Sequence, residues 1–80
     1  MALKLVFLGR LEDAAGGPER DVPCADTLET VLAALHPDLA SALGADHIRL
    51  AVNGALVGDR AGLRLIDGDE LAFLPPVSGG

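Results

Sequence analysis

The dipeptide Asn53-Gly54, set between Ile48-Arg49-Leu50-Ala51-Val52 and Ala55-Leu56-Val57, constrains this chain more than any other feature. A two-residue hairpin turn of the favoured hand needs positive φ at both central residues, and Asn followed by Gly meets that need at the least steric cost. The turn also sets the register, placing Val52 opposite Ala55, Ala51 opposite Leu56 and Leu50 opposite Val57. Side chains alternate across a strand, so Ala51 and Leu56 share one face and Leu50 and Val57 share the other.

The rest of the chain can be built around that hairpin. Leu3-Lys4-Leu5-Val6-Phe7-Leu8, bounded by Gly9, reads as a strand with Leu3, Leu5 and Phe7 on one face. Lys4, Val6 and Leu8 lie on the other, and Lys4 marks it as the wetter side. Leu11 through Pro18 contains the breaker cluster Ala14-Ala15-Gly16-Gly17-Pro18 and reads as a long hairpin connection into a second, polar strand around Glu19 to Val22. Asp26 opens the clearest helix: Glu29 stands three residues on in capping-box spacing, and Leu28, Val31, Leu32 and Leu35 follow at i, i+3, i+4 and i+7. Pro37 stops this helix at His36 or kinks it into a short second piece, Asp38 to Leu43, closed by Gly44 as a C′ residue. After a loop around Asp59 to Gly62, Asp67-Gly68-Asp69 turns the chain into a last strand, Glu70-Leu71-Ala72-Phe73-Leu74. Leu71 and Phe73 point one way, Ala72 and Leu74 the other.

This order predicts an α+β fold, a mixed sheet of four or five strands with one main helix packed on one face. Leu3, Leu5, Phe7, Leu50, Val57, Leu71 and Phe73 then line the covered face. Val6, Leu8, Ala51, Leu56, Ala72 and Leu74 fall on the open one, unless a strand slips by one residue and exchanges the faces. Soluble monomers rarely leave a contiguous apolar area without a partner. The candidate docking residues are therefore Leu8, Leu56, Leu74, Val6 and Ala51.

Eighty residues make one domain with a modest core. With two Phe and no Trp or Tyr, that core must come from Leu, Val, Ile and Ala. Six basic against twelve acidic residues give a formal charge of −6, which argues against a nucleic-acid partner and favours a basic protein one. The single cysteine, Cys24, allows no intrachain disulfide. Met1-Ala2-Leu3-Lys4 enters directly on a strand-like run without signal-peptide character, and no apolar run reaches the roughly 18 residues needed to span a bilayer. A cytoplasmic location with no membrane partner is expected.

Candidate chemistry concentrates at the last residues, Pro75-Pro76-Val77-Ser78-Gly79-Gly80. Two prolines fix φ and remove two donors, so the chain leaves the sheet as a stiff arm, and two glycines lack the Cβ that would obstruct a narrow channel. The expected organisation is a domain over residues 1–74 and a flexible tail over 75–80 whose reactive group is the Gly80 carboxylate. Elsewhere the residues form no active site. Asp67, Asp69 and Glu70 resemble oxygen ligands, but a calcium loop needs more of them and Gly68 sits where a turn needs it, so no metal is expected. His36, at a helix end where an imidazolium would suit the dipole, and His47 read as surface residues, and Cys24 as a packed one.

Ala51-Val52-Asn53 with Leu56-Val57, then Asp67-Gly68-Asp69-Glu70-Leu71-Ala72-Phe73, and above all Pro75-Pro76-Val77-Ser78-Gly79-Gly80, resemble the β-grasp, ubiquitin-like sulfur carriers over the whole chain. The likeness is greatest to the small subunit of molybdopterin synthase. One departure is the segment Gly9-Arg10-Leu11-Glu12-Asp13, where the basic residue is shifted relative to the Ala-x-Leu-Arg-Glu-like segment common in that family. The resemblance implies a β-grasp fold and no enzyme activity for the chain alone. It also implies no bound cofactor, since ATP would be used by a ubiquitin-activating-like adenylyltransferase that acts on Gly80. A sulfur donor enzyme would then convert Gly80 to a thiocarboxylate (1-thioglycine). The large subunit of molybdopterin synthase, in a heterotetramer, would accept the tail and pass the sulfur to a pterin precursor for molybdenum cofactor. The same tail chemistry would serve thiamine, cysteine or tRNA thiolation, or isopeptide formation by a ubiquitin-like modifier. A plain interaction domain would need neither terminal glycine.

Overall fold

The computed structural model describes residues 2–45, 47–60 and 62–75. Within them the apolar runs pair into one mixed sheet of five strands, β1 (Ala2–Phe7), β2 (Glu19–Pro23), β3 (Arg49–Val52), β4 (Ala55–Leu56) and β5 (Glu70–Leu74), in the order β2-β1-β5-β3-β4. The two longest predominantly apolar strands, β1 and β5, take the centre and run parallel, with Leu5 opposite Leu71 and Phe7 opposite Phe73. A parallel pair needs a long crossover, and here nearly the whole chain between them supplies it. All other neighbours are antiparallel.

Alternation along these strands builds the core. Leu3, Leu5, Phe7, Leu50, Leu71 and Phe73 are fully buried on one face, and Val57 is half-buried against them. The Phe7 and Phe73 rings stack with centroids 5.9 Å apart and planes 12° off parallel. Three helices among the described residues cover this face, α1 (Arg10–Ala15), α2 (Leu28–Ala33) and α3 (Pro37–Leu43). They contribute Leu11, Leu28, Val31, Leu39 and Leu43, with Leu35 buried between the last two helices. Each such Leu or Phe contributes about 1.5–3 kcal/mol by leaving water.

The hairpin registers as its turn chemistry requires: Ala51 pairs with Leu56 and Val52 with Ala55, with Asn53 at φ 52° and Gly54 at φ 87°. The Val57 amide extends the pairing by donating to the Leu50 carbonyl at 2.9 Å.

Four local expectations are corrected. A single main helix understates the cover, because the segment expected to connect the first hairpin contains α1. Its breaker cluster is the stop of a helix, not a loop throughout: Leu11 and Ala15, one turn apart, bury inward. Gly16 then takes a left-handed conformation at φ 83°, and the Gly16 and Gly17 amides donate back to the Asp13 and Glu12 carbonyls. That is a Schellman closure with Pro18 just beyond it. The cap of α2 is Thr27, not Asp26. The Thr27 hydroxyl accepts from the Thr30 amide at 3.2 Å, whereas the Asp26 carbonyl is taken by the Leu65 amide at 2.8 Å and lies outside the helix. Gly44 ends α3 in the right-handed region at φ −84°, with its amide still donating to the Ala40 carbonyl, so it is no left-handed cap. His36 belongs to the start of α3 and not to a helix end: it is the N-cap residue, and its Nδ1 accepts from the Asp38 amide at 3.2 Å.

Candidate functional site: the open sheet face and the base of the tail

The face of the sheet away from the helices is laid out in rows by strand register. Val6 pairs with Ala72, Ala72 with Ala51 and Ala51 with Leu56, so one apolar row crosses four strands from β1 to β4. Next to it, towards the C-terminal ends of β1 and β5, Leu8 lies beside Leu74. The Leu8 amide donates to the Phe73 carbonyl at 3.2 Å, and Leu74 pairs with Arg49 of β3. On the opposite side of the apolar row, Lys4 pairs with Glu70 on β5 and Asp21 on β2.

Exposure separates the candidate docking residues. Leu56 is 64% exposed and Leu8 41%, while Val6, Ala72 and Leu74 are half-buried. Ala51 is corrected: it lies on the open face as expected but is only 8% exposed, outside the core cluster. Its small side chain sits in the row between Leu56 and Ala72, which leave it as floor. Ile66, 69% exposed in the loop before β5, is an apolar surface residue that the strand patterns do not mark.

At the base of the tail the ring of Pro75 lies against Gly9, where a side chain would otherwise stand. Pro75, half-buried, follows β5, and Gly9 follows the parallel β1 at the same end of the sheet. Gly9 has φ 57° and ψ −136°, a region open essentially to glycine, and a Cβ built there would stand 3.0 Å from Pro75 Cγ. The missing side chain is thus the space the proline ring uses. Sequence patterning read Gly9 only as a strand end, because a strand-terminating glycine and a packing glycine look alike in one sequence. Of the predicted tail, Pro76, Val77, Ser78, Gly79 and Gly80 lie outside the described residues.

The far end of the sheet is fastened by side chains. Asp69, almost fully buried, accepts from the Ile66 amide at 3.0 Å with one carboxylate oxygen and from the Asn53 side-chain amide at 2.9 Å with the other. The Asn53 side-chain oxygen in turn accepts from the Glu70 amide at 3.0 Å, and the Asn53 backbone amide donates to the Glu70 carbonyl at 2.8 Å. The Ile66 amide and then the Asn53 amide hold the Asp69 carboxyl below its ordinary value. Asp67 Oδ1 accepts from the Ala2 amide at 2.7 Å. These oxygens therefore bind the chain to itself, and among the described residues no group of three or more His, Cys, Asp and Glu is placed to hold a metal ion. Asn53 was legible as a turn former; its side-chain role was not, since its partner lies 16 residues on.

Other candidates are placed as follows. Cys24 is exposed in the connection between β2 and α2, not packed. His47 is exposed and lines a cavity of about 300 Å³ with Arg10, Leu11, Ala14, Ala42, Ala45 and Ile48. A second cavity of about 250 Å³ lies among Leu28, Glu29, Leu32, Gly44 and Arg60. Among the described residues no helix is long and apolar enough to cross a membrane.

The profile of the ThiS family matches residues 5–80. No curated protein matches the chain. Among solved structures, SAMP1 from Haloferax volcanii is 30% identical with a TM-score of 0.77, over 100% of each chain. The small archaeal modifier protein 1 of Methanosarcina acetivorans is 28% identical with a TM-score of 0.78, over 99% of this chain and 96% of its own. A complex of subunits 1 and 2 of molybdopterin-converting factor from Helicobacter pylori is matched at 27% identity and a TM-score of 0.70, over 100% of both chains. The mixed sheet with its helical cover is the ubiquitin-like β-grasp fold that these neighbours share.

Proposed function

Because the chain belongs to the ThiS family, whose profile spans residues 5–80, we propose that it is the sulfur-carrying small subunit of molybdopterin synthase, with the Gly80 carboxylate as the group that is activated and loaded. Residues 1–74 act as the carrier domain and 75–80 as the arm. The observation that carries this reading is the joint placement of the open apolar row and the Gly9–Pro75 contact, which starts the arm at the edge of the face a partner would cover.

A carboxylate is a poor electrophile, so a partner adenylyltransferase would first join Gly80 to AMP from ATP, with pyrophosphate leaving. Hydrosulfide-level sulfur, released from the donor enzyme by a thiol reductant, would then attack the acyl carbon and expel AMP, leaving a thiocarboxylate. The large synthase subunit would take the arm, and the thiocarboxylate sulfur would pass to the pterin precursor. Leu8, Leu56 and Leu74 would bind the partners, Pro75 and Pro76 stiffen the arm, and Gly79 and Gly80 thread it. No cofactor resides on the carrier, and the reaction sequence belongs to the cytoplasm, where ATP and reduced sulfur are at hand. The neighbour whose subunits 1 and 2 were solved together supports a large-subunit partner.

A second reading has its own support, since two of the similar structures are named as modifiers. There a lysine amine would replace sulfur as the nucleophile and yield an isopeptide bond at Gly80. Incubation with ATP, a sulfur source and the adenylating enzyme from the same genome separates the two. A mass gain of about 16 Da at Gly80, oxygen exchanged for sulfur, supports the carrier. A ladder of conjugates to other proteins, without that gain, supports the modifier.

A further inference from the structure

The open face is charged at its two ends in opposite senses. At the end where the arm leaves, Arg49 stands in the row with Leu74 and Leu8, exposed and without a partner among the described residues. Arg10, directly after Gly9, is a second exposed cation there, on the helix side of the arm's base, also without such a partner. At the far end, Glu70 and Asp21 are the two exposed carboxylates of the row that contains Lys4. Lys4 does not neutralise that row by contact, because its Nζ is paired with Glu19 Oε1 at 3.3 Å. Of the other acids at this end, Asp69 is turned inward onto Ile66 and Asn53, and Asp67 accepts from the Ala2 amide. In a chain of net charge −6, one unpaired cation of this face, Arg49, thus stands where the arm begins and free carboxylates stand opposite, while Arg10 on the helix side is followed by the exposed Glu12 and Asp13.

We propose that this polarity orients docking: the face fits a partner protein with carboxylates beside the channel that receives the arm, an apolar stripe next to them, and a Lys or Arg at the far edge. The inference rests on the carrier reading and names the chemistry of its partner. An apolar row alone gives contact area without direction, since Val6, Ala72, Ala51 and Leu56 make much the same surface when turned end for end. Opposite charges at the two edges remove that ambiguity. A reversed encounter would set like charges together, and the correct one is steered before contact.

The test measures association of the full chain with its cognate adenylating enzyme by stopped-flow, at about 50 mM and about 500 mM salt. Arg49→Glu and Glu70→Lys are compared with Arg64→Glu, an exposed cation outside the strands. All three positions are exposed, and thermal melts establish that each variant is folded. Arg49→Glu and Glu70→Lys are each expected to slow association about tenfold at low salt, with the gap closing at high salt, while Arg64→Glu stays within about twofold of wild type. If Arg49→Glu and Glu70→Lys associate like wild type at low salt while Gly80 is still loaded, the orientation proposal is overturned and the carrier reading stands. If wild type neither binds the enzyme nor gains mass, both fall.

Discussion

The two faces of β1 and β5 are made by alternating residues of the same ten-residue-scale pair of strands, yet they do opposite things. Leu5, Phe7, Leu71 and Phe73 are buried to 1% exposure or less, and each is committed to the helices. Val6, Leu8, Ala72 and Leu74, their immediate neighbours in sequence, remain half-buried or exposed and touch no helix-side core cluster. Apart from Lys4 and Glu70, every residue of the two central strands is apolar enough for burial, and the side on which the helices lie decides which become core. Hydrophobicity here thus has two uses, stability on one face and, under the proposed function, recognition on the other. Substitutions on the two faces should separate cleanly.

The largest expected effect lies in the core. Phe73→Ala removes a stacked ring from the sheet centre and should lower stability by about 3–5 kcal/mol, read as a fall in the urea midpoint. An equal midpoint for wild type and variant would break the assignment of this face as core. At the boundary between the faces, Gly9→Ala forces a side chain into φ 57° and towards Pro75. A loss of about 1–3 kcal/mol is expected in the same measurement, together with slower loading of Gly80 as the arm's base is displaced. A variant that kept both stability and loading would show that the Gly9–Pro75 contact positions nothing.

The pH dependence of the far-end clamp sharpens the comparison further. Asp69 has a folded-state pKa below its ordinary 3.8, so its ionised form stabilises the fold fully above that value, and the contribution is lost as pH falls through the folded pKa. Asp69→Asn should be less stable than wild type near neutrality, with the gap narrowing as the pH drops below 3.8. A gap that widened on acidification would contradict the assigned hydrogen bonds. Melting followed by circular dichroism across that range reads the outcome, and Gly80 loading at neutral pH should change little, because the clamp lies at the end away from the arm.

Strand faces were legible in the sequence because a period of two and an Asn-Gly turn are local signals, and Leu50, Ala51 and Leu56 fell where the turn put them. What escaped was nonlocal or competing. Six residues are too few for α1 to show a helical period, and the glycines that stop it dominate the reading of the segment. Thr27 and Asp26 are both good caps, and only the Leu65 amide, nearly forty positions away, takes the Asp26 carbonyl out of contention. The burial of Ala51 depends on the size of its cross-strand neighbours, and the fit of Gly9 to Pro75 depends on the parallel pairing of two strands at opposite ends of the chain. Of the candidate site, the docking row could be read from alternation, whereas its charged edges needed the register of four strands.

The most direct test of the central claim is the rate at which Gly80 gains about 16 Da, compared between wild type and the double variant Leu8→Asp/Leu56→Asp, with ATP, sulfur source and adenylating enzyme held constant. Both positions are exposed, so the account predicts a folded variant with a near-wild-type melt and loading slowed by tenfold or more, on the order expected for charge placed in a recognition surface. Equal loading rates would contradict it, for then the open face would not be where the carrier meets its partner.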